Sequence, residues 1–171
     1  MNIAERHLPI IQAPGAPRAV RASRTETWTT EDDTRAFAAA LAARPAIGNA
    51  FIALHGDLGA GKTTFVRHLL RALGVQGRVK SPTYAVVEPY ETAAFPAWHF
   101  DFYRLGDPRE AEDAGFRDLF ASPGLKLAEW PEKAAGWLPP ADLALHIETL
   151  ADDSRTVTLD ALTPLGEALL A

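Results

Sequence analysis

Between Ala50 and Leu73 the spacing of apolar residues changes from continuous to helical. Phe51–Leu54 is an unbroken apolar run, as in a strand buried on both faces, and Phe65, Leu69 and Leu73 then recur at helical intervals. Gly74 suits the end of that helix. Upstream, Thr25–Thr29 alternates and carries β-forming residues, which predicts a short strand. Thr30 followed by Glu31, Asp32 and Asp33 predicts a helix start, a cap and then carboxylates that suit the helix dipole. Phe37 and Leu41 mark the buried face of that helix, and Pro45 with Gly48 closes it. Residues 1–24, rich in Ala, Pro and Arg, show no sustained periodicity and read as a flexible N-terminal arm. Residues 25–171 read as a single domain.

Downstream the pattern favours strands. Tyr84–Tyr90 and Trp98–Tyr103 each read as one, the first at an edge or strand end because Pro89 cannot donate to a ladder. Asp107–Ala114 predicts a short helix with Asp107 as cap and Pro108 at its first position. Leu125–Ala128 is a brief apolar strand running into Glu129-Trp130-Pro131, and a short helix follows to Leu138, ended by Pro139-Pro140. Leu143–Thr149 and Thr156–Leu159 predict a hairpin, and Leu165–Leu170 a short amphipathic helix or tail. The chain thus has one strand–loop–helix unit followed mainly by strands. It lacks the regular βαβα alternation of a nucleotide kinase. The expected class is α/β, a P-loop NTPase-like three-layer domain around a mixed parallel and antiparallel sheet.

Composition narrows the function. The chain is 47% hydrophobic and 23% charged, with no apolar run long enough to span a membrane. Its start lacks the basic and long apolar segments of a secretory signal, and it has no cysteine, so disulfides and thiolate metal sites are excluded. A cytoplasmic location is the expectation. Net charge is −5, with 22 acidic against 17 basic residues, and the Arg and Lys residues are scattered. A chain that grips nucleic acid by itself carries a basic surplus or stripe, so any nucleic acid here is expected to be held by a partner.

The chemistry is concentrated after the first apolar run. Gly56-Asp57-Leu58-Gly59-Ala60-Gly61-Lys62-Thr63 fits G-x-x-x-x-G-K-[ST] between a predicted strand and a predicted helix, the context that marks a P-loop. Gly56, Gly59 and Gly61 let backbone N–H groups approach phosphate oxygens, and the helix beginning near Lys62 aims its positive end at the same anion. Lys62 is expected on the β/γ-phosphates and the Thr63 hydroxyl on Mg²⁺. Such a site also needs an acid at a strand end. Glu129 and Asp101 both fit, the latter sharing a face with His99 and Tyr103. Ser81-Pro82-Thr83 resembles a switch segment in which a hydroxyl senses the γ-phosphate, although a simple proline turn has the same sequence. Trp130 suits either stacking on a base or core packing. The only asparagines, Asn2 and Asn49, do not form the Asn-Lys-x-Asp signature of guanine readers, which favours ATP over GTP.

Four segments in order, Gly56–Thr64, Ser81–Tyr84, His99–Leu105 and Glu129–Glu132, closely resemble the TsaE (YjeE) family, the ATPase component of bacterial tRNA threonylcarbamoyladenosine synthesis. The resemblance spans about Thr25 to Leu159. It implies that Gly59, Ala60, Gly61, Lys62, Thr63 and Thr64 bind ATP phosphates, and that Thr63 and Glu129 ligate Mg²⁺. It implies that Asp101 is an essential acid near the γ-phosphate, and that Ser81 to Tyr84, Thr83 included, form a nucleotide-sensing loop. Glu31 and Arg155 would lie beside the nucleotide, the former on its adenine side, with Trp130 close by. Lys62, Asp101 and Glu129 are thereby the catalytic candidates. The family resembles a switch that binds the transferase subunit (TsaD) and its paralogous partner (TsaB), then hydrolyses ATP to reset them, with tRNA contacted indirectly.

Two other readings share the phosphate cradle. A small-molecule kinase would need an acceptor pocket and usually a mobile lid bearing arginine, and no insertion is long enough to be an obvious lid. A scaffold that binds nucleotide without turnover would be favoured by loss of Glu129 or Asp101, and both acids are present.

Overall fold

A computed structural model describes residues 18–82 and 84–171. Seven strands form one sheet: β1 (Ala22–Trp28), β2 (Phe51–His55), β3 (Val87–Glu91), β4 (Pro96–Asp101), β5 (Leu125–Glu129), β6 (Leu143–Thr149) and β7 (Arg155–Ala161). Their order is β1-β7-β6-β2-β5-β4-β3. The four central strands β6, β2, β5 and β4 run parallel, while β7 and β1 at one side and β3 at the other are added antiparallel. The sheet is therefore mixed, as the sequence pattern predicts. Strand β2 is central because both of its faces are apolar: Phe51 and Ala53 enter one core, Ile52 and Leu54 the other.

Helices cover both faces. On the Ile52 side pack α1 (Glu31–Ala42) through Phe37 and Leu41, α2 (Lys62–Ala72) through Phe65 and Leu69, and α5 (Pro164–Leu170) through Leu169. On the Phe51 side pack α3 (Arg109–Asp113) through Ala111 and α4 (Phe116–Ala121) through Phe116, against Phe100 and Ala128. These are the three layers. Helix α1 starts after Thr30, and the Asp33 carboxylate accepts the Thr30 N–H at 3.0 Å. Helix α2 ends in a Schellman turn at Gly74 (φ +91°), where the Val75 and Gly74 N–H groups donate to the Leu70 and Arg71 carbonyls.

Several boundaries differ from the sequence expectation. Strand β1 opens at Ala22, inside the stretch read as an arm, because Ala22–Arg24 pair with Leu159–Ala161. Strand β3 begins only at Val87. Val86 adopts φ +65°, which breaks the extended run, and its carbonyl accepts the Asp101 N–H at 2.8 Å. Strand β4 stops at Asp101, whose carboxylate accepts the Tyr103 N–H at 3.0 Å and turns the chain. The predicted helix from Pro131 to Leu138 shortens to a 3₁₀ turn over Pro131–Ala134, with Gly136 at φ +86° just beyond. Among the described residues no helix is long and apolar enough to cross a membrane.

Candidate active site

The parallel strands all deliver their carboxyl ends to one edge of the sheet. In α/β sheets that edge carries the ligand crevice. Strand β2 leads directly into Gly56–Gly61, which wraps into the first turn of α2. Gly61 is the residue before the helix and adopts φ +108°, a conformation costly for any side chain larger than hydrogen. Gly56 is held for a different reason: a Cβ there would stand 2.6 Å from the Ile147 carbonyl of β6. The loop is thus seated against the sheet at one end and open at the other, where a Cβ on Gly59 or Gly61 would meet nothing within 4 Å.

Lys62 is buried, only 4% exposed, and its ammonium donates to the carbonyls of Gly56 and Asp57, the latter at 3.0 Å. It also lies 4.4 Å from the centre of the Trp130 ring. Burial pushes its pKa below 10.5, opposed by the carboxylates of Glu129, Asp101, Glu132 and Asp57. A charged amine is therefore kept at the loop with no full anionic partner, a geometry that suits an incoming polyanion.

The two acids are neighbours across the sheet, Asp101 on β4 in register with Glu129 on β5. Glu129 is 3% exposed, and the Thr63 hydroxyl on α2 lies 3.0 Å from each of its oxygens. On the other side the ring of His99, fully buried, places Nε2 2.6 Å from Glu129 Oε2. Asp101 Oδ2 accepts the Ser81 hydroxyl at 2.6 Å. Hydroxyl and carboxylate oxygens are the donors a hard divalent cation such as Mg²⁺ prefers, and Thr63 and Glu129 offer both from facing elements. The residues present fit that ion.

Trp130 follows Glu129 in the left-handed region (φ +54°), an uncommon conformation for a tryptophan. The turn aims its ring at Lys62 and packs it 5.0 Å from the Tyr103 ring. Gly59, Ala60, Gly61, Lys62, Thr63, Thr64, Ser81, Asp101, Glu129 and Trp130 consequently line one cavity of about 340 Å³.

A second cavity of about 170 Å³ adjoins the first along Ala60, Gly61 and Thr64 and is bounded by Trp28, Glu31, Asp153 and Arg155. Arg155, which opens β7, donates from Nε to the Ala60 carbonyl at 2.9 Å and from its terminal nitrogen to the Asp153 carbonyl. Glu31 pairs with His68 of α2 at 2.8 Å and so stands beside that helix. The two cavities together form a glycine-loop crevice with a side compartment. Of the candidates read from sequence, all but Gly56 and Thr83 line this crevice; Gly56 touches it only through its carbonyl, which accepts the Lys62 ammonium, and Thr83 lies outside the described residues. Sequence reasoning missed the contact of His99 with Glu129 and the compartment walls Trp28 and Asp153. The His99 signal was its two-residue spacing from Asp101, which puts both on one face of β4.

Comparison with known proteins shows the family and the fold. Residues 28–157 match the family model described as threonylcarbamoyl adenosine biosynthesis protein TsaE. The tRNA threonylcarbamoyladenosine biosynthesis protein TsaE of Haemophilus influenzae is 49% identical over 118 residues, covering 69% of this chain and 74% of the relative. The Bacillus subtilis protein of the same name is 36% identical over 137 residues, covering 79% and 85%. The crystal structure of YdiB from Bacillus subtilis superposes with a TM-score of 0.72 at 28% identity, over 90% of this chain and 95% of that one. With the family model spanning most of the sheet and every segment of the crevice, the chain belongs to the TsaE family.

Proposed function

We propose that this chain is a cytoplasmic, magnesium-dependent ATPase of tRNA threonylcarbamoyladenosine synthesis, binding and resetting the threonylcarbamoyl-transferase complex of TsaD and TsaB. The pathway comes from the family and its relatives' names. The chemistry rests on one observation above all: Thr63 and Glu129 meet beside the buried Lys62, with Asp101 next in the sheet.

Backbone N–H groups from Gly59 to Thr64, at the start of α2, bind the phosphates. Lys62 exchanges the Gly56 and Asp57 carbonyls for phosphate oxygens, which restores a full charge partner to a buried ammonium. Thr63 and Glu129 would hold Mg²⁺, which would supply positive charge against the charge that develops on the phosphates. Glu31 and Arg155 hold the nucleoside side, and Trp130 shields the phosphates from solvent.

Asp101 orients the attacking water. In this structure it accepts the Ser81 hydroxyl on one oxygen and the Tyr103 N–H on the other, which ties its orientation to the Ser81 segment and leaves a lone pair on each oxygen. That coupling supports a partner-dependent rate: a partner that moves the Ser81 segment re-aims the acid, and hydrolysis by the isolated chain is slow.

The test is ATP hydrolysis by the purified protein, alone and with the transferase pair. A slow rate that rises sharply with the pair is expected. An unchanged rate, with phosphate appearing instead on an added metabolite, would replace this reading with a small-molecule kinase.

A further inference from the structure

Glu129 has a second neighbour with no role in the scheme above. His99 sits on β4 opposite Leu127, two residue pairs before Asp101 meets Glu129, so its ring points diagonally at the Glu129 carboxylate on the face that α2 covers. The ring is fully buried, and Nε2 to Oε2 is 2.6 Å. The other ring nitrogen, Nδ1, is buried without a hydrogen-bond partner among the described residues. A buried imidazole normally satisfies both nitrogens. This one makes a single polar contact, and that contact is with the proposed metal ligand.

We infer that His99 is a positioning residue that fixes the orientation of Glu129 for Mg²⁺. An ionised carboxylate only accepts, so the shared proton belongs to Nε2 and Nδ1 is left as an acceptor. Donation to Oε2 takes one lone pair of that oxygen and sets the rotation of the carboxylate plane. Oε1 has no such bond from the sheet and shares the Thr63 hydroxyl, 3.0 Å from both oxygens, so its remaining lone pairs are left for a cation. Without His99 the carboxylate would be buried with only the Thr63 hydroxyl, and its rotamer would be less determined. The unpaired Nδ1 is a cost the fold tolerates, which argues that the ring is retained for its Nε2 contact rather than for packing. A leucine would fill the same apolar layer with no orphaned atom.

The inference rests on the magnesium–ATP reading, and the experiment separates the two. Binding of a fluorescent ATP analogue is titrated with Mg²⁺ in wild type, His99→Leu and His99→Gln, alongside binding in EDTA and thermal unfolding. Glutamine carries an amide donor close to the position of Nε2. His99→Leu is expected to keep its EDTA affinity while the half-saturating Mg²⁺ concentration rises about tenfold or more. His99→Gln is expected to recover most of that loss. Should the leucine variant not fold, His99→Asn serves, since its amide ends near Nδ1 and falls short of Glu129. Half-saturation unchanged in the donor-less variants, or EDTA affinity and Mg²⁺ response falling together with no rescue by glutamine, would overturn the positioning role. Absence of any Mg²⁺ response in wild type would instead remove the magnesium reading, and this inference with it.

Discussion

The hydroxyl of Thr63 lies 3.0 Å from both carboxylate oxygens of Glu129, joining the first turn of α2 to the end of β5. One residue follows the P-loop lysine and the other comes from a strand far along the chain, so their meeting is a product of the sheet order.

Replacing Glu129 by glutamine keeps the shape and a hydrogen bond to Thr63 but removes the charge that a divalent cation needs. Nucleotide binding without metal is expected to persist, while Mg²⁺-dependent hydrolysis falls by about a hundredfold or more. Steady-state phosphate release with and without EDTA checks this, and wild-type turnover in the variant would remove Glu129 from the metal site.

Lys62 predicts a pH dependence. Its folded pKa lies below the unfolded value of 10.5 because of burial, so between those values the folded chain sheds the proton that the unfolded chain keeps. Its contribution to stability therefore improves as pH rises across that window and is complete above 10.5. Triphosphate binding acts oppositely, since the anion favours the ammonium. Nucleotide affinity is expected to fall as pH climbs into the window, with proton uptake on binding. Calorimetry in buffers of different ionisation enthalpy measures that uptake; its absence throughout the alkaline range would show that Lys62 does not meet the phosphates.

Gly56→Ala tests how the loop is seated. The added Cβ would stand 2.6 Å from the Ile147 carbonyl and 3.1 Å from the Ala60 Cβ, and the rigid β6 backbone cannot yield. A destabilisation of roughly 2–4 kcal/mol is expected from overpacking and backbone strain. That corresponds to a fall in Tm of about 5–12 °C, readable by circular dichroism.

Much of this arrangement was legible in the sequence because local signals agreed with the fold. The continuous apolar run at Phe51–Leu54, the glycines, and the helical spacing of Phe65 and Leu69 define the P-loop unit without any tertiary information. Pro89 marked an edge strand, and β3 is the sheet's outer strand. What failed was short or nonlocal. Helix α4 is only six residues, and its apolar residues Phe116, Leu119 and Phe120 do not sustain a periodic signal. The end of β4 is set by a side-chain turn at Asp101, which spacing cannot reveal. The His99–Glu129 pair needs β4 and β5 to be parallel neighbours in a known register, and a single chain read in order does not supply that.

The central place of β2 also governs how the chain can fold. Its two neighbours begin at Leu125 and Leu143, so during synthesis the apolar FIALH segment emerges long before either pairing partner exists. Parallel pairings across such separations carry a large loop-closure entropy, and they form slowly. A nascent chain that has passed the glycine loop therefore carries that loop on an unpaired, sticky strand. Until Leu125–Glu129 and Leu143–Thr149 have emerged, this strand has exposed edges of the kind that promote aggregation.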